Sequence, residues 1–130
     1  MGTFNETLDT ATMAVAGGLN AANIALVDHV AVVLESGAWG VDGIRSPEHW
    51  LTWQLGLSHT EARRAVAIAR SLTTHPVLCG LFRDGALSVA QTAIAVTVDP
   101  SRDAELAEVA VACTLSQLQL FARAMRHVDS

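Results

Sequence analysis

The stretch Ser46-Pro47-Glu48-His49-Trp50-Leu51-Thr52-Trp53-Gln54-Leu55-Gly56-Leu57-Ser58-His59-Thr60-Glu61-Ala62-Arg63-Arg64-Ala65-Val66-Ala67-Ile68-Ala69-Arg70-Ser71-Leu72 decides the fold class. Its punctuation is helical. Ser46 can cap a helix and Pro47 suits the first helical position, where its missing N–H leaves nothing unsatisfied. Gly56 supplies a turn residue free to take positive φ, and Ser58 caps a second helix with Glu61 three residues on, the spacing of a capping box. Between the caps, Leu51, Leu55 and Leu57 face Ala62 and Ala65 as the contact expected of two helices meeting at a turn. Arg63 and Arg64 then project from the second helix, with Arg70 extending the same strip. Segment 47–73 therefore reads as a helix-turn-helix-like unit.

The same signals recur on both sides. Residues 1–18 read as an N-terminal helical arm capped by Asn5 and broken at Gly17-Gly18. From Leu19 to Ser36 the residues Ile24, Val27, Val30, Val33 and Leu34 recur at helical spacing, with Gly37 placed to end the helix. The Gly-rich loop that follows carries Trp39, expected to plug back onto the core. Beyond Pro76 come a short helix at 77–82, a turn at Asp84-Gly85, and a helix from Ser88 to about Thr97. Two more are expected at about 102–112 and 116–127, the last capped by Thr114 or Ser116. Residues 19–130 thus form one all-α domain, a compact bundle of about six to seven helices.

Composition agrees. At 130 residues and 51% hydrophobic, the chain can close one core, and its Ala, Val and Leu content with no Tyr favours close helix packing over a sheet. Cys79 and Cys113 sit alone on apolar stretches and suit small core positions in a reduced, cytoplasmic setting. Asn20, Asn23, Asp28 and His29 interrupt the longest apolar region, so no membrane span is expected. The net charge of −5 is unevenly distributed. Residues 1–44 hold five acids and no base, 45–83 hold five Arg against two Glu, and 84–130 hold six acids and three Arg. Only the middle is basic.

Signs of catalysis are weak. The five His show no metal-ligand spacing apart from one His75/Cys79 pair, so no metal and no cofactor are expected. No P-loop or dinucleotide fingerprint occurs, and no small-molecule substrate is indicated. Trp50 and Trp53 read as core or interface side chains in preference to base-stacking ones. Two functions remain. DNA contact would use Ser58, His59, Arg63, Arg64 and Arg70, on a frame set by Trp50, Leu51, Gly56, Pro76 and Gly85. Pairing with a protein partner or in a homodimer would use the apolar helix 19–34 or the Ala-rich last helices.

The run Arg45-Ser46-Pro47-Glu48-His49-Trp50-Leu51, then Leu55-Gly56-Leu57-Ser58, Glu61-Ala62-Arg63-Arg64, Ala69-Arg70-Ser71-Leu72, Pro76 and Asp84-Gly85-Ala86-Leu87-Ser88 resembles domain-of-unknown-function family 222, the actinobacterial 13E12 repeat family. The likeness runs from about Leu19 to the C-terminus. In that family the helical domain commonly precedes an HNH nuclease domain, which implies a link to DNA transactions without supplying an activity. Asn5, Asn20 and Asn23 all precede the first His, so a His-Asn-His site is not expected in this chain. The layout, with Pro76 bounding a connector, then Gly85-Ala86-Leu87-Ser88 and Leu115-Ser116, is also similar to the DNA-binding part of ParB-type partition proteins, an analogy of layout that adds to the expectation of DNA contact.

Overall fold

A computed structural model describes residues 2–130. Among the described residues there are seven α-helices, one 3-10 turn and no strand: α1 (Gly2–Ser36), α2 (Pro47–Leu55), α3 (His59–Ser71), α4 (Pro76–Arg83), α5 (Val89–Ala95), the 3-10 turn Pro100–Arg102, α6 (Asp103–Ala110) and α7 (Leu115–Asp129).

The caps explain the boundaries. Ser46 Oγ accepts from the His49 N–H, and Gly56 closes α2 in the left-handed region at φ 67. Ser58 Oγ accepts from the Glu61 N–H, but the return bond of a full capping box is not formed. That reciprocal pair appears instead at Ser88/Gln91 and at Thr114/Gln117, which start α5 and α7. Pro76 opens α4 at its first position, and Gly85 turns the chain afterwards at φ 80. A side chain at Gly85 would also meet the Asn20 amide at 3.3 Å.

The expected break at Gly17-Gly18 does not occur. α1 is one helix of 35 residues, roughly 52 Å long at 1.5 Å per residue. Each helical Gly costs about 1 kcal/mol relative to Ala, but Ala14, Ala16, Leu19, Ala21 and Ala22 propagate helix on both sides, and propagation needs no new nucleus. A Cβ at either Gly would meet nothing within 4 Å. Gly17→Ala with Gly18→Ala is therefore expected to increase the hydrogen-exchange protection of α1, by up to about 1 kcal/mol per site. Unchanged protection would mean that this half of the helix frays for another reason.

The two halves of α1 differ. Every side chain from Thr3 to Leu19 is exposed, whereas Val27, Val30 and Val33 are buried. Within 19–34, Val27, Val30 and Val33 enter the molecule's own core, whereas Leu19 and Val32 stay exposed. Asp28 on this half takes a fork of two hydrogen bonds from Arg83 on α4, at 2.7 and 3.2 Å. By length and composition alone, α1 is long and apolar enough to cross a membrane, and its C-terminal half is packed into the bundle.

α3 lies at the centre, against α1, α2, α4 and α5, and buries Ala62, Ala65, Val66, Ile68 and Ala69. Around it Leu51, Leu78, Phe82, Leu87, Leu106, Leu118 and Ala122 complete a single core. Leu51, Leu57, Ala62 and Ala65 contribute to it as expected, and Trp50 packs half-buried against it. Leu55 does not, being half exposed beside the Gly56 turn. Trp53 is 65% exposed, and Trp39 is half-buried outside the core cluster.

Two buried polar groups tie α4 to the far end. The Asp103 carboxylate, at the start of α6, accepts the Val77 and Leu78 N–H groups at 2.8 and 2.9 Å. These are among the unpaired donors of the α4 N-terminus, where an anion is favoured by the helix dipole. The His75 ring is buried, with Nε2 bonded to the Val98 carbonyl at 2.7 Å and Nδ1 to Thr74 Oγ1. Both ring nitrogens are engaged in the core, so the His75/Cys79 spacing reflects packing.

Candidate functional site: an arginine-lined groove

α5 packs between α3 and α7, and small side chains leave a groove along its outer side. Ala93 and Ile94 of α5 form the floor and Ala67 of α3 leaves one wall low. The volume is about 500 Å³. Arg63 and Arg64 line it from α3, while Gln119, Arg123 and Arg126 line it from α7 at a spacing of one helical turn. Leu118 and Ala122 are buried, which fixes the rotation of α7 and turns the 119/123/126 row towards the groove.

Four arginine residues therefore line one open cleft whose lining contains no carboxylate, Arg64 also bordering the notch between α1 and α3. Among the described residues, ion pairs engage only Arg83 and Arg102, so these four are unpaired. Among the described residues Glu61 forms no ion pair with Arg63 or Arg64. Arg126 is held in place: its guanidinium donates to Thr97 Oγ1, and the Thr97 hydroxyl donates to the Ile94 carbonyl at 2.6 Å. Arg102 is neutralised by Asp129 and Glu105 and has its pKa raised by hydrogen bonds to both, Asp129 first, while Asp129 is held below the usual carboxylate range. It adds nothing to the groove.

The residues singled out from sequence scatter around this feature. Arg63 is exposed and Arg64 half-buried, both on the α3 wall. Arg70 is exposed and unpaired but does not line the groove. Ser58 serves as the α3 cap. His59 opens onto a different cleft, described below. Leu51 is buried and Trp50 packs half-buried against the core, Gly56 and Gly85 take positive φ, and Pro76 opens α4. Arg126 also lies in the last turn of α7, where a cation complements the helix dipole, and Arg123 stands one turn before it. Nothing local in the sequence connects them to Arg63 and Arg64, some sixty positions earlier.

The flanking α7 changes what α3 can do. A helix that reads base edges must project into a groove about 12 Å wide. The outer strip of α3 is instead one wall of a cleft whose other wall is α7.

Cysteine chemistry has a specific expectation. Cys79 is buried and its thiol donates to the Ser71 carbonyl at 3.5 Å, with burial chiefly, and then the Asp103 charge, pushing its pKa up to about 11. In the folded protein Cys79 is expected to resist alkylation at pH 8, where half-buried Cys113 reacts. Because the folded pKa is raised, this contribution to stability is complete below pH 9 and is lost as pH rises through about 11. Rapid native labelling of Cys79, read by mass spectrometry, would contradict this burial.

A second feature is a notch of about 180 Å³ between α1 and α3, bordered by Asn23, Leu26, Glu61 and Arg64. It is smaller than the 300–1,000 Å³ of ordinary small-molecule sites. Among the described residues, no group of three or more His, Cys, Asp or Glu is placed to hold a metal ion.

With the architecture in view, the comparison with known families is decisive on one point. The sequence model of the family described as "Domain of unknown function (DUF222)" matches residues 7–127. The chain belongs to this family. The match takes in nearly all of α1, so the exposed half of that helix from Thr7 onwards is part of the family domain. No curated protein matches, and no solved structure matches. Membership of the DUF222 family therefore fixes kinship without fixing an activity.

Proposed function

We propose that this DUF222 domain is a non-enzymatic DNA-binding or DNA-positioning module that grips the phosphate backbone in the groove between α3 and α7. The observation that supports it is the convergence of Arg63, Arg64, Arg123 and Arg126 on one cleft without a carboxylate in its lining. Guanidinium forks match phosphate oxygens in charge and geometry, and four unpaired ones facing a shared space repel each other unless an anion is present. The helix-turn-helix-like unit 47–73 contributes one wall through Arg63 and Arg64, as a phosphate clamp in place of a base-reading helix. Binding is then sequence-tolerant and steeply salt-dependent, opposed by the net charge of −5.

Fluorescence anisotropy with unrelated duplexes at 50 mM salt tests this reading. Binding that varies little among sequences and is lost in Arg63→Ala/Arg64→Ala supports it. Absence of binding, or indifference to that substitution, defeats it.

A second reading rests on the free half of α1. Phe4, Leu8, Ala11, Val15, Gly18 and Ala22 follow one another at intervals of four and three, the spacing of a coiled-coil seam. Phe4, Leu8 and Val15 are 72%, 54% and 62% exposed. Such a seam is self-complementary, so the partner it fits is α1 of a second copy. Under this reading the chain is dimeric at micromolar concentration by light scattering, and Leu8→Glu with Val15→Glu makes it monomeric. A monomer at all concentrations removes the reading.

A further inference from the structure

A second cleft, of about 540 Å³, opens at the other end of the α3 outer strip, where the loop before α2 meets the starts of α2 and α3. It is lined by Gly43, Arg45, Ser46, His49, Thr52 and His59. Its nearest carboxylates in sequence, Asp42 and Glu48, do not line it, and Arg45 is unpaired among the described residues. The polar groups are oriented as donors. The Arg45 N–H donates to His49 Nδ1 at 3.2 Å, which leaves Nε2–H as the free donor of a neutral ring. Ser46 Oγ accepts the His49 N–H and keeps its own hydroxyl hydrogen to give. Thr52 is already spent, its hydroxyl donating to the His49 carbonyl.

His59 joins this cleft to the arginine groove. It precedes Arg63 by four residues, so the two side chains lie on one face of α3, about 6 Å apart along the axis and within one phosphate-to-phosphate step of an extended strand. Resting on the phosphate-binding reading above, we infer that the second cleft is a further phosphodiester site, and that one nucleic-acid strand runs continuously from Arg45 and His49, over His59 and Arg63, to Arg123 and Arg126. The Gly-rich loop at 37–45 then serves to present Arg45. Contacts of this kind are to backbone, so the track discriminates strand length more than sequence.

The full chain, as Arg45→Ala/His59→Ala and separately as Arg63→Ala/Arg123→Ala, is titrated with oligonucleotides of increasing length and with inorganic phosphate at matched ionic strength. Neither pair of substitutions removes a core side chain. For wild type, affinity is expected to rise with length to a plateau; Arg45→Ala/His59→Ala reaches its plateau at a shorter length, with the slope of log K against log salt shallower by about one. Arg45→Lys, which keeps the charge, restores the slope. A wild-type plateau and slope in Arg45→Ala/His59→Ala, while Arg63→Ala/Arg123→Ala is weakened, overturns the continuous track and leaves the arginine groove standing. No oligonucleotide binding by wild type overturns both. Inorganic phosphate bound as tightly as the longest strand also overturns the track.

Discussion

Arg123→Ala with Arg126→Ala is expected to weaken binding to a duplex at 50 mM salt about 30-fold, as much as Arg63→Ala with Arg64→Ala. The equality matters, because only the second pair belongs to segment 47–73, the α2–α3 pair. A partly exposed guanidinium–phosphate contact contributes about 1 kcal/mol, so two lost contacts amount to a factor of about 30. Replacing all four is expected to leave no measurable binding. Arg70→Ala, outside the groove, is expected to have an effect of twofold or less. If Arg70→Ala and Arg63→Ala were equally damaging while the α7 pair was silent, α3 would be acting as an independent recognition helix and the two-walled cleft would be irrelevant.

Asp103→Ala is expected to destabilise the fold by about 3 kcal/mol, because it leaves the Val77 and Leu78 N–H groups without partners, Leu78 fully inside the protein. It also removes the anion that complements the α4 N-terminus. Asp103→Asn keeps one acceptor oxygen and is expected to recover about half of the loss. Urea unfolding with a shifted midpoint and unchanged slope is the measurement. An Asp103→Ala midpoint within experimental error of wild type would mean that α4 is held by its apolar face alone, through Leu78 and Phe82. Because α4 also receives Asp28 of α1 through Arg83, a loosened α4 is expected to expose amides near Asp28 to exchange.

The elements that sequence predicts well are those whose ends carry local chemistry. Ser46-Pro47, Gly56, Ser58, Ser88 and Thr114 all lie where their caps place them, because a cap is settled within four residues. Gly17-Gly18 was misread for the complementary reason. A glycine permits a break without requiring one, and here no cap or turn residue accompanies the pair. Leu55 was expected at the contact with the next helix and Trp53 in the core or at an interface, but α2 is only two and a half turns long and its single narrow inward face is taken by Leu51 and Trp50, which leaves both exposed.

The arginine groove was half legible. Arg63 and Arg64 stand out by local charge, whereas Arg123 and Arg126 lie in a segment whose formal balance is acidic. The balance misleads because four of those six acids are occupied elsewhere. Asp103 is buried on the α4 amides, Glu105 and Asp129 neutralise Arg102, and Asp99 caps the 3-10 turn through the Ser101 N–H. Counting charge by segment treats them as facing the same solvent as Arg123, and only the packing of α5 between α3 and α7 shows otherwise. The Asp28–Arg83 pair does the same for the middle third, removing one of its five arginines from the basic surface.

The central claim is that the working surface of this DUF222 domain is the cleft between α3 and α7. Nuclear magnetic resonance of the 15N-labelled chain, following the arginine side-chain Nε–H signals during addition of a short duplex at 50 mM salt, tests it most directly. The predicted result is that Arg63, Arg64, Arg123 and Arg126 shift together along one binding curve, with Arg83 and Arg102 unmoved in their ion pairs. Shifts confined to Arg70, or absent from both α7 arginines, would contradict it.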